Sequence, residues 1–246
     1  MIKLEHVVLA SPEQMEFIIE GMRNPMNSWE KSDSYAGHEY MGTGNEYFKL
    51  GENDHSLMRR LAKAGTDHRK FMRMMPVYVR ITAPLYWWKE FDTYKVGTVT
   101  NSCSTMLTIA EKEFVIEDFS TEHLLGWNDN FTADCVIDYD HTPDDYPSGK
   151  VPIDILNSTI KMLNEARDKY INGVHRGGSF KIRKDKDIWW QMMQLLPSSY
   201  NQTRNVMTNY EVLANIYKSR KNHKLDEWRE FCKWIETLPY QEFITG

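Results

Sequence analysis

Between Leu196 and Arg220 the chain reads LPSSYNQTRNVMTNYEVLANIYKSR. The Pro197 ring ends whatever helix precedes it, because the residue before a proline is pushed out of the α region. Further on, Val212, Leu213, Ile216 and Tyr217 recur at helical spacing and predict an apolar helix face. Asn209, Asn215 and Arg220 are set into this helix-like pattern. Asn215 lies too far from Asn209 to share a turn, yet both can flank one surface, and Arg220 follows about a turn and a half later. A carboxamide donates and accepts together, so it can read the imide edge of a planar ring. A guanidinium fork suits phosphate. The plain alternative is a solvated helix face with ordinary polar residues.

A second informative stretch runs APLYWWKEFDTYKVGTVTNSCST from Ala83 to Thr105. Ahead of it, Val77 to Ile81 predicts a strand ended by Pro84. The aromatic run Leu85 to Tyr94 predicts a buried helix, with Trp87-Trp88 in the core. After it come Tyr94, Lys95, Thr98, Thr100, Asn101, Ser102 and Ser104. Hydroxyls and a cation in that density can cradle a phosphate or a pyrimidine; a polar turn into a surface strand is the other reading. Cys103 has no base beside it in sequence, so a buried inert thiol is expected there.

Lys3 to Leu9 predicts a strand, and a helix starts at Pro12 with Met15, Phe17, Ile18 and Met22 on one face. Asn24 to Asn45 is polar and reads as irregular. Leu57 to Ala64 predicts a helix ending near Gly65. Met106 to Glu117 fits either helix or strand. Asp140 to Gly149, with two prolines, predicts a surface loop. Leu156 to Tyr170 and Asp187 to Leu196 predict helices, separated by a break at Gly173, Gly177 and Gly178; Arg176 and Lys181 there form a nonspecific anion pattern. Trp189-Trp190 reads as core. Leu225, Trp228, Phe231, Cys232 and Ile235 mark a last helix. His68 and His223 stand alone in polar surroundings and carry no signal by themselves.

At 246 residues the chain can bury a full core, and the simplest organisation is one α+β domain over 1–246. A net charge of -5 argues against general nucleic-acid binding, though it leaves room for a local basic pocket. The three cysteines, Cys103, Cys135 and Cys232, are odd in number and lack CxxC spacing, which argues against a disulfide framework or a zinc site. No apolar run approaches the roughly 20 residues that span a bilayer, and no signal peptide is evident, so a cytoplasmic protein without a membrane partner is expected.

Taken together, the two stretches resemble the flavin-dependent thymidylate synthases. That family carries Arg-His-Arg, a Ser three residues on, and a Ser-Gly-Arg near the end of its signature, after a strand ending in Ala-Pro and an aromatic helix. Ala83-Pro84 and Leu85 to Phe91 resemble the approach. The signature falls on Thr93-Tyr94-Lys95, Thr98 and Cys103-Ser104-Thr105. Downstream, Leu196-Pro197, Asn209, Asn215 and Arg220 match a Leu-Pro, two flavin-contacting asparagines and a phosphate-binding arginine in the same order.

The resemblance implies a mixed β-sheet flanked by helices, a homotetramer with sites shared between subunits, and FAD as cofactor. The implied reaction is reductive methylation of dUMP to dTMP, with methylenetetrahydrofolate as carbon donor and NADPH as reductant. It places Lys95 and Thr98 in the catalytic segment. It gives His68, Tyr94, Asn101, Asn209 and Asn215 to the flavin, and Glu90, Ser102, Ser104 and Arg220 to the pyrimidine nucleotide. Several positions depart from the family. Thr93 and Tyr94 replace an arginine and a histidine, Glu90 a base-reading glutamine, and Thr105 and Met193 two substrate-site arginines. A non-catalytic binding or inhibitory descendant, or a flavoprotein with another substrate, fits the same residues.

Overall fold

Strand β4 (Pro76–Pro84) shows the period-2 alternation that builds the core: Val77, Val79, Ile81 and Ala83 are buried, while Tyr78 and Arg80 face out. The computed structural model describes residues 2–38, 46–126, 151–172 and 185–246. The sequence readings on Asp140 to Gly149, on Cys135 and on the Gly173 to Lys181 break lie outside the described residues. By its internal contacts the chain divides into two compact units.

The larger unit comprises residues 2–82, 87–102 and 203–246. Its main sheet runs β1 (Lys3–Leu9), β4, β6 (Asn201–Asn209), β5 (Val99–Ser102). The β1–β4 pair is antiparallel with a bulge between Glu5 and Val8, where His6 adopts φ 49°. The β5–β6 pair is antiparallel from Val99↔Met207 to Ser102↔Arg204. A separate antiparallel hairpin joins β2 (Tyr35–His38) and β3 (Glu46–Lys49).

Around the sheet lie α1 (Pro12–Arg23), α2 (Glu52–Lys63), α3 (Phe71–Met74), α4 (Leu85–Phe91), α8 (Tyr210–Arg220), α9 (Asp226–Ile235) and α10 (Glu242–Thr245). A capping box between Ser11 and Gln14, with Pro12 in the first turn, starts α1 where the sequence placed it. An enclosed ion pair ties α1 to α2: Arg23 Nε donates to Asp54 Oδ1 at 2.5 Å. Asp54 Oδ2 also accepts from the Ser32 and Ser34 hydroxyls and from the Asp33 and Ser34 amides. In return the Asp33 carboxylate caps α2 at Asn53 N and Asp54 N.

The smaller unit, residues 83–86 and 103–202, holds α5 (Thr105–Thr108), α6 (Pro152–Asn172) and α7 (Asp185–Leu195). Helices α6 and α7 pack together around Ile109, Phe114, Phe119, Leu156, Ile160, Leu163 and Met192. The Asn164 carboxamide grips the Phe114 backbone from both sides, 2.8 Å to the amide and 2.9 Å to the carbonyl.

The α+β reading stands, and four local expectations change. Asn201–Asn209 is a strand, so Asn209 ends a strand instead of sitting inside a helix; its Asn, Gln, Thr and Arg residues show no apolar alternation, and pairing within the sheet overrides them. Phe17 is 65% exposed and Ile19 takes its place on the buried face of α1. The polar run after Asn24 includes strand β2. Trp190 is 43% exposed, so only Trp87 and Trp88 of the two Trp pairs are fully core.

Candidate functional site

The centre of the larger unit is aromatic. Trp87 and Phe91 of α4 pack against Trp228 and Phe231 of α9, with Trp87 and Trp228 rings 4.7 Å apart, and Trp88 packs on Trp87 and Phe91. Burial of Trp87, Trp88 and Phe91 fixes the rotation of α4 and turns Glu90 away from the core, leaving it 35% exposed. At the last residue of α8, Arg220 arrives beside it.

Arg220 Nη1 donates to Glu90 Oε2 at 2.7 Å, and Arg220 Nε donates to the Tyr94 hydroxyl at 3.0 Å. The guanidinium lies over the Trp228 ring, 4.9 Å from its centroid. Trp228 Nε1 donates to the same Glu90 oxygen at 2.9 Å. His223 Nε2 sits 2.9 Å from Arg220 Nη1 and 3.6 Å from Glu90 Oε2, while its Nδ1 accepts from the Leu225 amide. A neutral imidazole has one acceptor nitrogen, so the ring satisfies either Arg220 or Leu225 at one time. Thus Glu90, Tyr94 and Arg220, three residues singled out in the sequence, converge. Trp228 and His223 complete the cluster. Sequence reading passed over both, since Trp228 carries the same apolar signal as its core neighbours and His223, three residues after Arg220, carries no signal by itself in its polar surroundings.

The asparagines go elsewhere. Asn209 is 8% exposed and forms the N-cap of α8, accepting from Val212 N at 3.0 Å through Oδ1. Its Nδ2 donates to the Gly97 carbonyl at 3.4 Å. Gly97 has φ +81°, and a Cβ there would lie 2.8 Å from Asn209 Nδ2, so the turn from Lys95 to Thr98 requires glycine. In that turn Lys95 is exposed, while Thr98 Oγ1 is buried and has no hydrogen-bond partner among the described residues.

Asn215 Oδ1 accepts from Arg69 Nη2 at 3.1 Å. Arg69 and Arg73 both bind Glu211, whose carboxylate is 7% exposed. Two guanidiniums therefore face one carboxylate. His68, beside Arg69 in the chain, is exposed. Asn215 and Arg220 lie about 140° apart around α8 and so face different ways on it.

Asn101 and Ser102 are exposed on β5, opposite Asn205 and Arg204. Asn101 and Asn205 line a sheet-face groove of about 270 Å³ with His6, Tyr78 and Arg80. Ser104 opens α5, its carbonyl accepting from Thr108 Oγ1 at 2.9 Å. The expected buried thiol at Cys103 is exposed, because its segment follows an edge strand; Cys232 is buried, and burial with the Glu236 charge behind it pushes its thiol up to about 11. No cluster of three or more His, Cys, Asp or Glu side chains able to hold a metal occurs among the described residues. No helix there is long and apolar enough to cross a membrane.

No family model matches the chain, and no curated protein is similar to it in sequence. Solved structures are similar in fold. The flavin-dependent thymidylate synthase ThyX from Helicobacter pylori, complexed with FAD and dUMP, aligns over 99% of this chain and 97% of its own at 16% identity and TM-score 0.58. The UMP/dUMP methylase PolB from Streptomyces cacaoi, bound with 5-Br dUMP, aligns over 96% of this chain and 89% of its own at 15% identity and TM-score 0.53. The fold is ThyX-like.

Proposed function

We propose that residues 1–246 form a ThyX-like enzyme that reductively methylates a pyrimidine deoxynucleotide, dUMP to dTMP, with FAD, methylenetetrahydrofolate and NADPH. One observation carries this reading: the likeness to an enzyme complexed with FAD and dUMP extends over 99% of the chain. The site geometry agrees with it. Arg220, steered by Tyr94 and stacked on Trp228, is the cation for the nucleotide phosphate. Arg69 and Arg73 converge on Glu211 beside Asn215, with the Asp67 charge acting on Arg73 as well, and Asn215 Nδ2, which has no partner among the described residues, is a hydrogen-bond donor for the flavin. The buried, unpartnered hydroxyl of Thr98 is a donor or acceptor for a ligand entering the Lys95 turn.

Bound FAD supplies the hydride. The chain supplies position and electrostatics: Arg220 orients the nucleotide, Lys95, Ser102 and Ser104 border it, and His68, Tyr94, Asn101, Asn209 and Asn215 are assigned to the flavin. Asn215 and Arg220 face different ways on α8, which supports a site completed by residues from more than one copy, as in a homotetramer. The test is a visible absorption spectrum of the purified protein with added FAD. Bands of bound oxidised flavin are expected; no binding at saturating FAD overturns the reading. Light scattering that shows a monomer at micromolar concentration removes the shared site. The second reading, a non-catalytic binding protein of the same fold, draws on the neutralisation of Arg220 by Glu90.

A further inference from the structure

We propose that the hydroxyls of Thr98 and Thr208 form one receptor for a single oxygen atom beside the Lys95 turn, either a ring carbonyl of the flavin or an enclosed water. The flavin source rests on the proposed function; the receptor itself rests on the sheet. Thr208 is 1% exposed, yet its Oγ1 has no hydrogen-bond partner among the described residues, and neither has the buried Oγ1 of Thr98. The register brings the two together. Strands β5 and β6 are paired up to Val99↔Met207. Two residues further, Asn209 Nδ2 donates to the Gly97 carbonyl at 3.4 Å, so Gly97 faces Asn209. Thr98 and Thr208 lie between these two contacts and oppose each other. Opposed residues of an antiparallel pair share one face of the sheet. Here it is the core face, because Val206, two residues from Thr208, is buried, while Asn205 and Met207 line the groove on the other side.

A second threonine pair in the same sheet shows the ordinary outcome. Thr82 Oγ1 of β4 and Thr203 Oγ1 of β6 bond each other at 2.7 Å. Thr98 and Thr208 do not. Opposed Cβ atoms stand about 4.5–5.5 Å apart, so both hydroxyls reach one atom set between them. A buried hydroxyl without a partner is costly, and an acceptor common to both removes the cost twice. A carbonyl or water oxygen has two lone pairs and accepts from both, whereas one N–H serves only one of them. The surroundings give such an atom a way in. Lys95, Val96 and Gly97 are exposed, and the Asn209–Gly97 bond that closes the turn is long. An oxygen held there ties the turn that carries Lys95 to strand β6.

Thr98→Val and Thr208→Val, singly and together, test this in the full chain by titration with FAD and by thermal unfolding without it. Valine keeps the side-chain shape and removes the hydroxyl. With a flavin carbonyl as the source, each single variant is expected to weaken FAD by about tenfold, while the melting temperature of the unliganded chain holds or rises because an unpaired buried hydroxyl is gone. Thr208→Ser, which keeps the hydroxyl, is expected to retain FAD affinity. With water as the source, FAD affinity holds, each single variant lowers the melting temperature, and the double variant loses less than the two together. A crystal structure that resolves solvent then shows one oxygen between the hydroxyls; a direct bond between them, as in the Thr82–Thr203 pair, overturns the receptor. Should Thr208→Val fail to fold, Thr98→Val at the half-buried turn position carries the same expectations. Unchanged FAD affinity together with an unlowered melting temperature overturns the receptor from either source. If the wild type binds no FAD, the flavin reading falls by itself, and the melting temperatures of the variants still decide for or against the enclosed water.

Discussion

Arg23 and Arg220 each hold a carboxylate at short range, 2.5 Å to Asp54 and 2.7 Å to Glu90. Their surroundings differ. The Arg23–Asp54 pair is 4% and 0% exposed, and Asp54 accepts from Arg23, two hydroxyls and two backbone amides. The Arg220–Glu90 pair is 20% and 35% exposed, with one Glu90 oxygen engaged by Arg220 and Trp228. A carboxylate whose every neighbour donates is a fixed part of the fold. One that is a third in water, and held through a single oxygen, can be exchanged for a ligand. A guanidinium and a carboxylate thus form a girder in one place and a partly solvated pair, assigned to a ligand in the proposed reading, in the other.

The sharpest way to break this comparison is Asp54→Asn. Removing one partner of an enclosed pair leaves Arg23 uncompensated and is expected to destabilise by about 3–5 kcal/mol in denaturant titration. Burial alone would raise the Asp54 pKa, but hydrogen bonds from Ser34, Ser32, Arg23 and Asp33 outweigh it and hold it below the usual carboxylate value. The sign follows: stability from this group is full above the unfolded pKa and is lost as pH falls through the lower folded one. Acid unfolding of the wild type should therefore be steeper than that of the variant. Equal acid sensitivity would show that Asp54 is not the group responsible.

Arg220→Gln comes next and should invert the pattern. Loss of one charge-assisted hydrogen bond to phosphate, worth about 1.5–3 kcal/mol, predicts a fall of about 10- to 100-fold in dUMP affinity by calorimetry. Stability should fall by only about 1 kcal/mol or less, because the pair is partly solvated. A stability loss as large as that of Asp54→Asn, with dUMP affinity intact, would make both pairs girders.

The contrast also marks what the sequence could reveal. Core strands and helices with strong apolar period, such as β4 and α9, were legible because burial writes itself into residue type. Strand β6 was not, since NQTRNVMTN owes its conformation to neighbouring strands that its own polar residues do not announce. In the site, Glu90, Tyr94 and Arg220 were legible through order and type, but their mutual contact was not, because α4 and α8 are far apart in the chain. Asn209 was seen as a polar signal; that its carboxamide caps α8 and holds Gly97 depends on a strand end that the helix-like reading hid.

Asn209 sharpens the comparison at smaller scale. Asn209→Ala removes the α8 cap and should cost about 1 kcal/mol, read as a lowered melting temperature. Asn209→Asp restores the cap acceptor while removing the donor to Gly97. If the stability loss is rescued by Asp but FAD affinity is not, the residue serves both fold and flavin; rescue of both limits it to the cap.

The smallest effect is expected at Cys103. It is exposed on the segment after β5, and its backbone carbonyl, not its thiol, accepts from Gln202 Nε2 at 3.0 Å. Hydride chemistry on a polarised pyrimidine needs no thiolate attack. Cys232, the other described thiol, is buried and pushed up to about 11, so it is not a thiolate at neutral pH. Cys103→Ser should therefore leave stability within about 0.5 kcal/mol and dTMP formation unchanged. A large loss of turnover with dUMP and FAD affinity intact would place a covalent thiol step in the reaction, and the exposed cysteine rather than the Arg220 cluster would then be the centre of the chemistry.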